Sequence, residues 1–149
     1  MAISPSILLV ELIMSADRLV QSSQSAASIE GQWTPSVVLG HLSQVDEQVW
    51  GVRIDQMVDA LEAGSNPPAF TWWEPDPVET ENRYSSYTLE AASAELMAGR
   101  TRLLTRLRAL TEAQWQATGV HDVFGELDIS TLLIEVLRHD EEHRATLVL

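Results

Sequence analysis

Apolar residues recur at three- and four-residue steps along four stretches of this chain, a period that helices bury by packing on one another. The first stretch, about Ser4 to Gln24, carries Leu8, Leu12 and Leu19, with Ile7 and Met14 beside them. A Ser/Gln/Ala run from Gln21 to Ser28, then Gly31, ends it. The second opens with Thr34 as a cap and Pro35 at the first helical position, where a missing N–H costs nothing. Trp33 precedes the cap, placed to staple onto Val38. The stripe Val38, His41, Leu42, Val45, Val49, Val52 then continues toward Gly64. The third stretch runs from Thr88 to Leu110 on Leu89, Ala92, Leu96, Leu103, Leu107 and Leu110, with Gly99 permitting a close helix contact. The last starts near Asp128, staples Leu127 onto Leu132, and turns Leu132, Val136, His139, His143 and Leu147 inward.

Residues 65–87 separate the second and third helices and hold four of the six prolines (Pro67, Pro68, Pro75, Pro77) with the pair Trp72–Trp73. A structureless loop of that length is uncommon inside a compact domain. It reads as a crossover joining two helices that run parallel. Thr111 and Gln114 form a capping box for one short turn, and Gly119 to Gly125 is an irregular, strand-like stretch around His121. With no convincing run of strands and no repeat, the expected fold is all-α: one four-helix-bundle domain over residues 1–149.

A chain of 149 residues buries a core unaided. It has no cysteine, which removes disulfides, thiolate catalysis and every cysteine-ligated metal. All 9 basic residues are arginine, so a P-loop and a pyridoxal Schiff base, both of which need a lysine amine, are excluded. A net charge of −13 opposes a phosphate backbone, so nucleic acid is not an expected partner. The first residues lack a basic start and a small-residue cleavage pattern, and no apolar run approaches a membrane span. The expectation is a cytoplasmic protein with no membrane partner.

Three of the 4 histidines lie on inward stripes. His139 and His143 project from one helix face, one turn apart. His41 lies about two turns past the start of its helix, and His143 about two turns before the end of the last. If those helices are antiparallel neighbours, their axes are about 8–10 Å apart. Side chains from both then reach one ion at a metal–nitrogen distance of about 2.0–2.1 Å, with positions left open for water or substrate. Ordinary buried histidines are the alternative, but each would need its own hydrogen-bond partner, whereas one cation satisfies all three. Three imidazoles suit zinc, nickel, copper or iron. A carboxylate-bridged di-iron bundle is disfavoured, because Val38, Val136 and Asp140 stand where its glutamates would be.

Other residues carry two readings each. Glu135, one turn before His139, is placed to orient the far nitrogen of that ring, or is an exposed charge. Asp46 and Glu47 either support the site through a neighbouring helix or lie on a solvated face, and Asp140, Glu141 and Glu142 read as a solvated run. His121 is an exposed turn residue, or a proton shuttle or substrate contact at the rim. Trp50, Trp72 and Trp73 pack core and crossover, or wall a pocket, while Trp33 and Trp115 read as structural.

The segment WTPSVVLGHLSQVDEQVW resembles the second helix of the DinB-like, or YfiT-like, family, with its HL followed by an acid. The segment TGVHDVFGELDISTLLIEVLRHDEEH is similar to the family's C-terminal part, an H..FG loop leading into an HDxxxH-like helix. The resemblance implies an up-down-down-up four-helix bundle, a metal ion (nickel or zinc) held by His41, His139 and His143, and a homodimer. It also implies thiol-dependent S-transferase or isomerase chemistry on a small molecule with a low-molecular-weight thiol; the alternative is a dimeric binding module that holds metal or ligand without turnover. A glutamine often found shortly after the last histidine is replaced here by Thr146.

Overall fold

The computed structural model describes residues 3–148. Helix α1 (Pro5–Ser25) is capped by the Ser4 side chain, which accepts from the Ile7 N–H, and turns Leu8, Leu12, Ala16 and Leu19 inward. Helix α2 (Pro35–Val45) starts at Thr34, whose hydroxyl accepts from the Val37 N–H. It continues through a π-helical turn (Asp46–Trp50) into α3 (Gly51–Ala63), which ends at Gly64 in the left-handed conformation. The chain then forms β1 (Ala69–Phe70), α4 (Pro77–Tyr84) and α5 (Leu89–Arg108). A short 3-10 turn, β2 (Thr118–His121), β3 (Gly125–Asp128) and α6 (Ile129–Arg144) complete it. Thr111 and Gln114 exchange the two bonds of the expected capping box, at 2.8 and 3.2 Å.

Helix α1 packs on α5 and α6, and α2 lies against α5. Two apolar clusters fill the interior: one around Leu12, Ile54, Leu103 and Leu133, the other around Leu19, Leu39 and Leu96. Two glycines set the closest approaches to α2. A Cβ on Gly40 would stand 2.4 Å from the Tyr84 ring of α4, and one on Gly99 would meet Ser43 Oγ at 3.0 Å. The close contact expected at Gly99 is therefore present, and Ser43 donates across it to the Glu95 carbonyl.

Three expectations are corrected. The chain is mostly helical but not purely so, because β1 pairs parallel with β2, and β2 antiparallel with β3, in a three-stranded sheet. Strands of two to four residues leave no readable alternation. The 65–87 crossover is not structureless: it contributes β1 to that sheet and α4 to the face of α2. Finally, Val52 is 42% exposed and Arg53 only 9%. The Gly51 N–H bonds back to the Asp46 carbonyl, five residues earlier, so one extra residue enters the turn. Every later position is rotated, and Arg53 takes the inward place expected of Val52.

Candidate metal centre

His41 comes from the middle of α2, His139 and His143 from the last turns of α6. One nitrogen from each ring can be chosen so that all three lie within 4.8 Å of one another. The ring centroids are 4.7 to 5.5 Å apart. Tryptophans wall the cluster. Trp73 stacks on His41 at 6.3 Å, Trp33 on His143 at 6.4 Å, and Trp50 meets His139 edge-on at 6.0 Å. Trp33, read from sequence as purely structural, thus lines the site, while Trp115 stays in the core.

The rings are neutral. Burial, then the fields of His143 and His139, lowers the His41 pKa to about 3, and burial followed by His143 lowers His139 to about 4. Burial also lowers His143. A neutral imidazole is the form that binds a cation. The Nδ1 atoms of His41 and His139 are buried and have no hydrogen-bond partner among the described residues. Such orphaned groups are rare in folded proteins, because each carries a desolvation cost. An all-imidazole donor set with unsatisfied nitrogens fits a borderline divalent cation.

The cluster opens into a cavity of about 240 Å³ that is also lined by Arg53, Trp72, His121 and Phe124. His121 is not an exposed turn residue; it is 3% exposed at the end of β2. Its Nδ1 accepts from the N–H groups of Val123 and Phe124, at 3.0 and 3.3 Å. That bonding assigns a neutral ring with its proton on Nε2. Asp122 Oδ1 lies 3.2 Å from the same Nδ1, but an accepting nitrogen forms no ion pair there. Burial, then Arg53, lowers the pKa of His121.

The carboxylates are placed differently from expectation. Glu135 accepts from Arg138 Nε at 2.7 Å, and His139 Nδ1 has no partner among the described residues. Asp46, read as a support for the site or as solvated, and Asp140, read as solvated, are both 2% exposed and flank Arg100, which is 1% exposed. Arg100 donates to both oxygens of each carboxylate and to the Leu12 carbonyl, linking α1, the π turn and α6 to its own helix. Burial opposes its charge, but the fields of Asp46 and Asp140 outweigh this and raise its pKa. Sequence reasoning missed Arg100, although it stands four residues after Leu96 and three before Leu103, on the inward stripe of α5.

Among curated proteins, none matches the chain by sequence. Solved structures do match by fold. YfiT from Bacillus subtilis, described as "a probable metal-dependent hydrolase with an unusual four-helix bundle topology", superposes with a TM-score of 0.74 at 17% identity. That match covers 98% of this chain and 86% of YfiT. A mycothiol-dependent maleylpyruvate isomerase superposes with a TM-score of 0.66 at 15% identity, over 97% of this chain but only 61% of the isomerase. At these identities the likeness establishes the fold alone. The DinB superfamily signature matches residues 13–147, nearly the whole chain and all three clustered histidines, and the protein belongs to that superfamily.

Proposed function

We propose that this protein is a metal-dependent enzyme acting on a small molecule, with a divalent cation, nickel or zinc, held by His41, His139 and His143. The observation that carries this reading is the pair of buried, partnerless ring nitrogens in a three-imidazole cluster opening into a cavity. A cation held there supplies Lewis acidity, lowering the pKa of a bound thiol or water toward neutrality. Trp33, Trp50 and Trp73 keep the rings dry and fix their orientation. His121, neutral and bearing its proton on Nε2, lines the same cavity as a hydrogen-bond donor to substrate.

Thiol-dependent S-transfer or isomerisation is the preferred chemistry, with the thiol brought by a cosubstrate because the chain has no cysteine. Two features favour it over the hydrolysis described for YfiT. The Glu74 and Glu142 carboxylates lining the cavity each have one oxygen held, by Trp72 Nε1 and by Arg138, which weakens both as a general base for water. A thiol also starts far closer to neutrality, with a pKa of about 8.5 against about 15.7 for water. The proposal includes the up-down-down-up helix order and a homodimer. Ile3, Ile7, Val10 and Met14 form an exposed apolar stripe along and just before α1 that supports the dimer.

Elemental analysis of the purified protein, followed by titration of the cobalt-substituted form with small thiols and azide, tests the reading. One ion per chain and a thiol-induced change in the cobalt spectrum are expected. Absence of metal, or a spectrum indifferent to thiol and azide alike, overturns it.

A further inference from the structure

The cavity has a second pole, distinct from the histidines. Arg53 is 9% exposed and lines it, and no carboxylate among the described residues pairs with it, whereas Arg138, which also lines it, is held by Glu135 and Glu142. A guanidinium offers five N–H donors in a fixed fork. Among the described residues the single hydrogen bond of Arg53 runs from Nη2 to the Thr71 carbonyl, at 2.7 Å. Its planar head lies 5.1 Å from the Phe70 ring and 5.9 Å from that of Trp50. Burial lowers its pKa, partly offset by the field of Asp122. A charge held this way gains most from an anion that brings its own negative oxygens.

We propose that Arg53 is an anion-recognition residue and that the site takes a carboxylate-bearing small molecule, spanning from the guanidinium to the histidine cluster across the Trp50 ring. This rests on the reading of the histidines as a metal centre for the other end of the ligand. Trp50 bridges the two poles, its ring 6.0 Å from His139 and 5.9 Å from the Arg53 head. A single carboxylate suits the surroundings better than a phosphate. One unpaired guanidinium offsets one negative charge, and a dianion would face Glu74 and Glu142 on the cavity wall.

The test compares mercaptohexanoate with mercaptohexanol on cobalt-substituted protein, read by the cobalt spectrum, after metal content is measured. The wild type is expected to bind the carboxylate about tenfold more tightly, the weight of one charge-assisted pair. Arg53→Met should abolish that preference at unchanged metal content, and Arg53→Lys should keep part of it. A merely structural arginine would weaken both thiols alike. Equal binding in the wild type, or a preference that survives Arg53→Met, overturns the proposal and leaves the metal reading intact. If metal content is nil, the metal reading falls first. Tryptophan fluorescence of the metal-free protein then still decides the role of Arg53. Saturable binding of hexanoate but not hexanol, lost in Arg53→Met, supports it, and no saturable hexanoate binding overturns it. Should Arg53→Met not fold, the wild-type comparison and Arg53→Lys decide between the same two outcomes.

Discussion

The Arg100 guanidinium places Nη1 and Nη2 on the two oxygens of Asp140, at 2.8 and 3.0 Å, immediately beside His139 in the chain. The same head grips Asp46, five residues after His41, so one side chain ties both histidine-bearing helices to the core. Truncating it would strand two buried carboxylates, and breaking a buried pair costs about 3–5 kcal/mol. Arg100→Met is expected to lower the urea midpoint by a corresponding amount. Asp140→Asn should lose less, because an amide keeps one acceptor for Arg100 and for Ser15, whose Oγ donates to Asp140 at 2.7 Å. Equal midpoints for Arg100→Met and wild type would show that the network is energetically idle.

His139→Ala is expected to remove stoichiometric metal, since two imidazoles hold a divalent ion far less well than three. Full metal content in this variant, measured by elemental analysis, would reject the ligand assignment. In the metal-free protein the sign reverses for His41→Leu. Replacing a buried ring whose Nδ1 has no partner among the described residues with an apolar side chain of similar size relieves a desolvation cost of about 1–3 kcal/mol. The variant should therefore melt above the metal-free wild type and below the metal-loaded one.

Acid should unfold the metal-free protein through these same rings. Their native pKa values lie below the unfolded value of about 6.5, with His41 near 3 and His139 near 4. Between those limits the unfolded chain takes up protons that the native one refuses. The stability they contribute is thus fully present above about pH 6.5 and is lost as pH falls toward their native values. The loss amounts to about 1.4 kcal/mol per pH unit per ring. Melting curves from pH 7 to 4 should show a steeper decline in wild type than in His41→Leu.

Ile7 and Val10 are 55% and 53% exposed on α1. The double change Ile7→Glu with Val10→Glu places charge on the proposed dimer face without touching the core. Sedimentation should report a monomer for this variant and a dimer for wild type. A wild-type monomer at high concentration would dispose of the dimer.

Helix boundaries, caps and the inward course of His41, His139 and His143 were readable from the order of residues, because 3.6-residue periodicity, Thr34–Pro35 and Asp128 act locally. The short sheet was not, since β1 exists only because β2 lies beside it. Nor was the burial of Asp46 and Asp140, whose polar run looks solvated until Arg100 arrives from 54 and 40 residues away. Arg53 was hidden by one residue: the π turn after Val45 shifts the helical phase, and periodicity carried past it points to Val52. Sequence by itself determined the four long helices, though not α4, and the inward turn of three histidines, though not that of His121. Only tertiary packing decided what those histidines face, because desolvation and charge pairing depend on neighbours that the chain brings from far along its length.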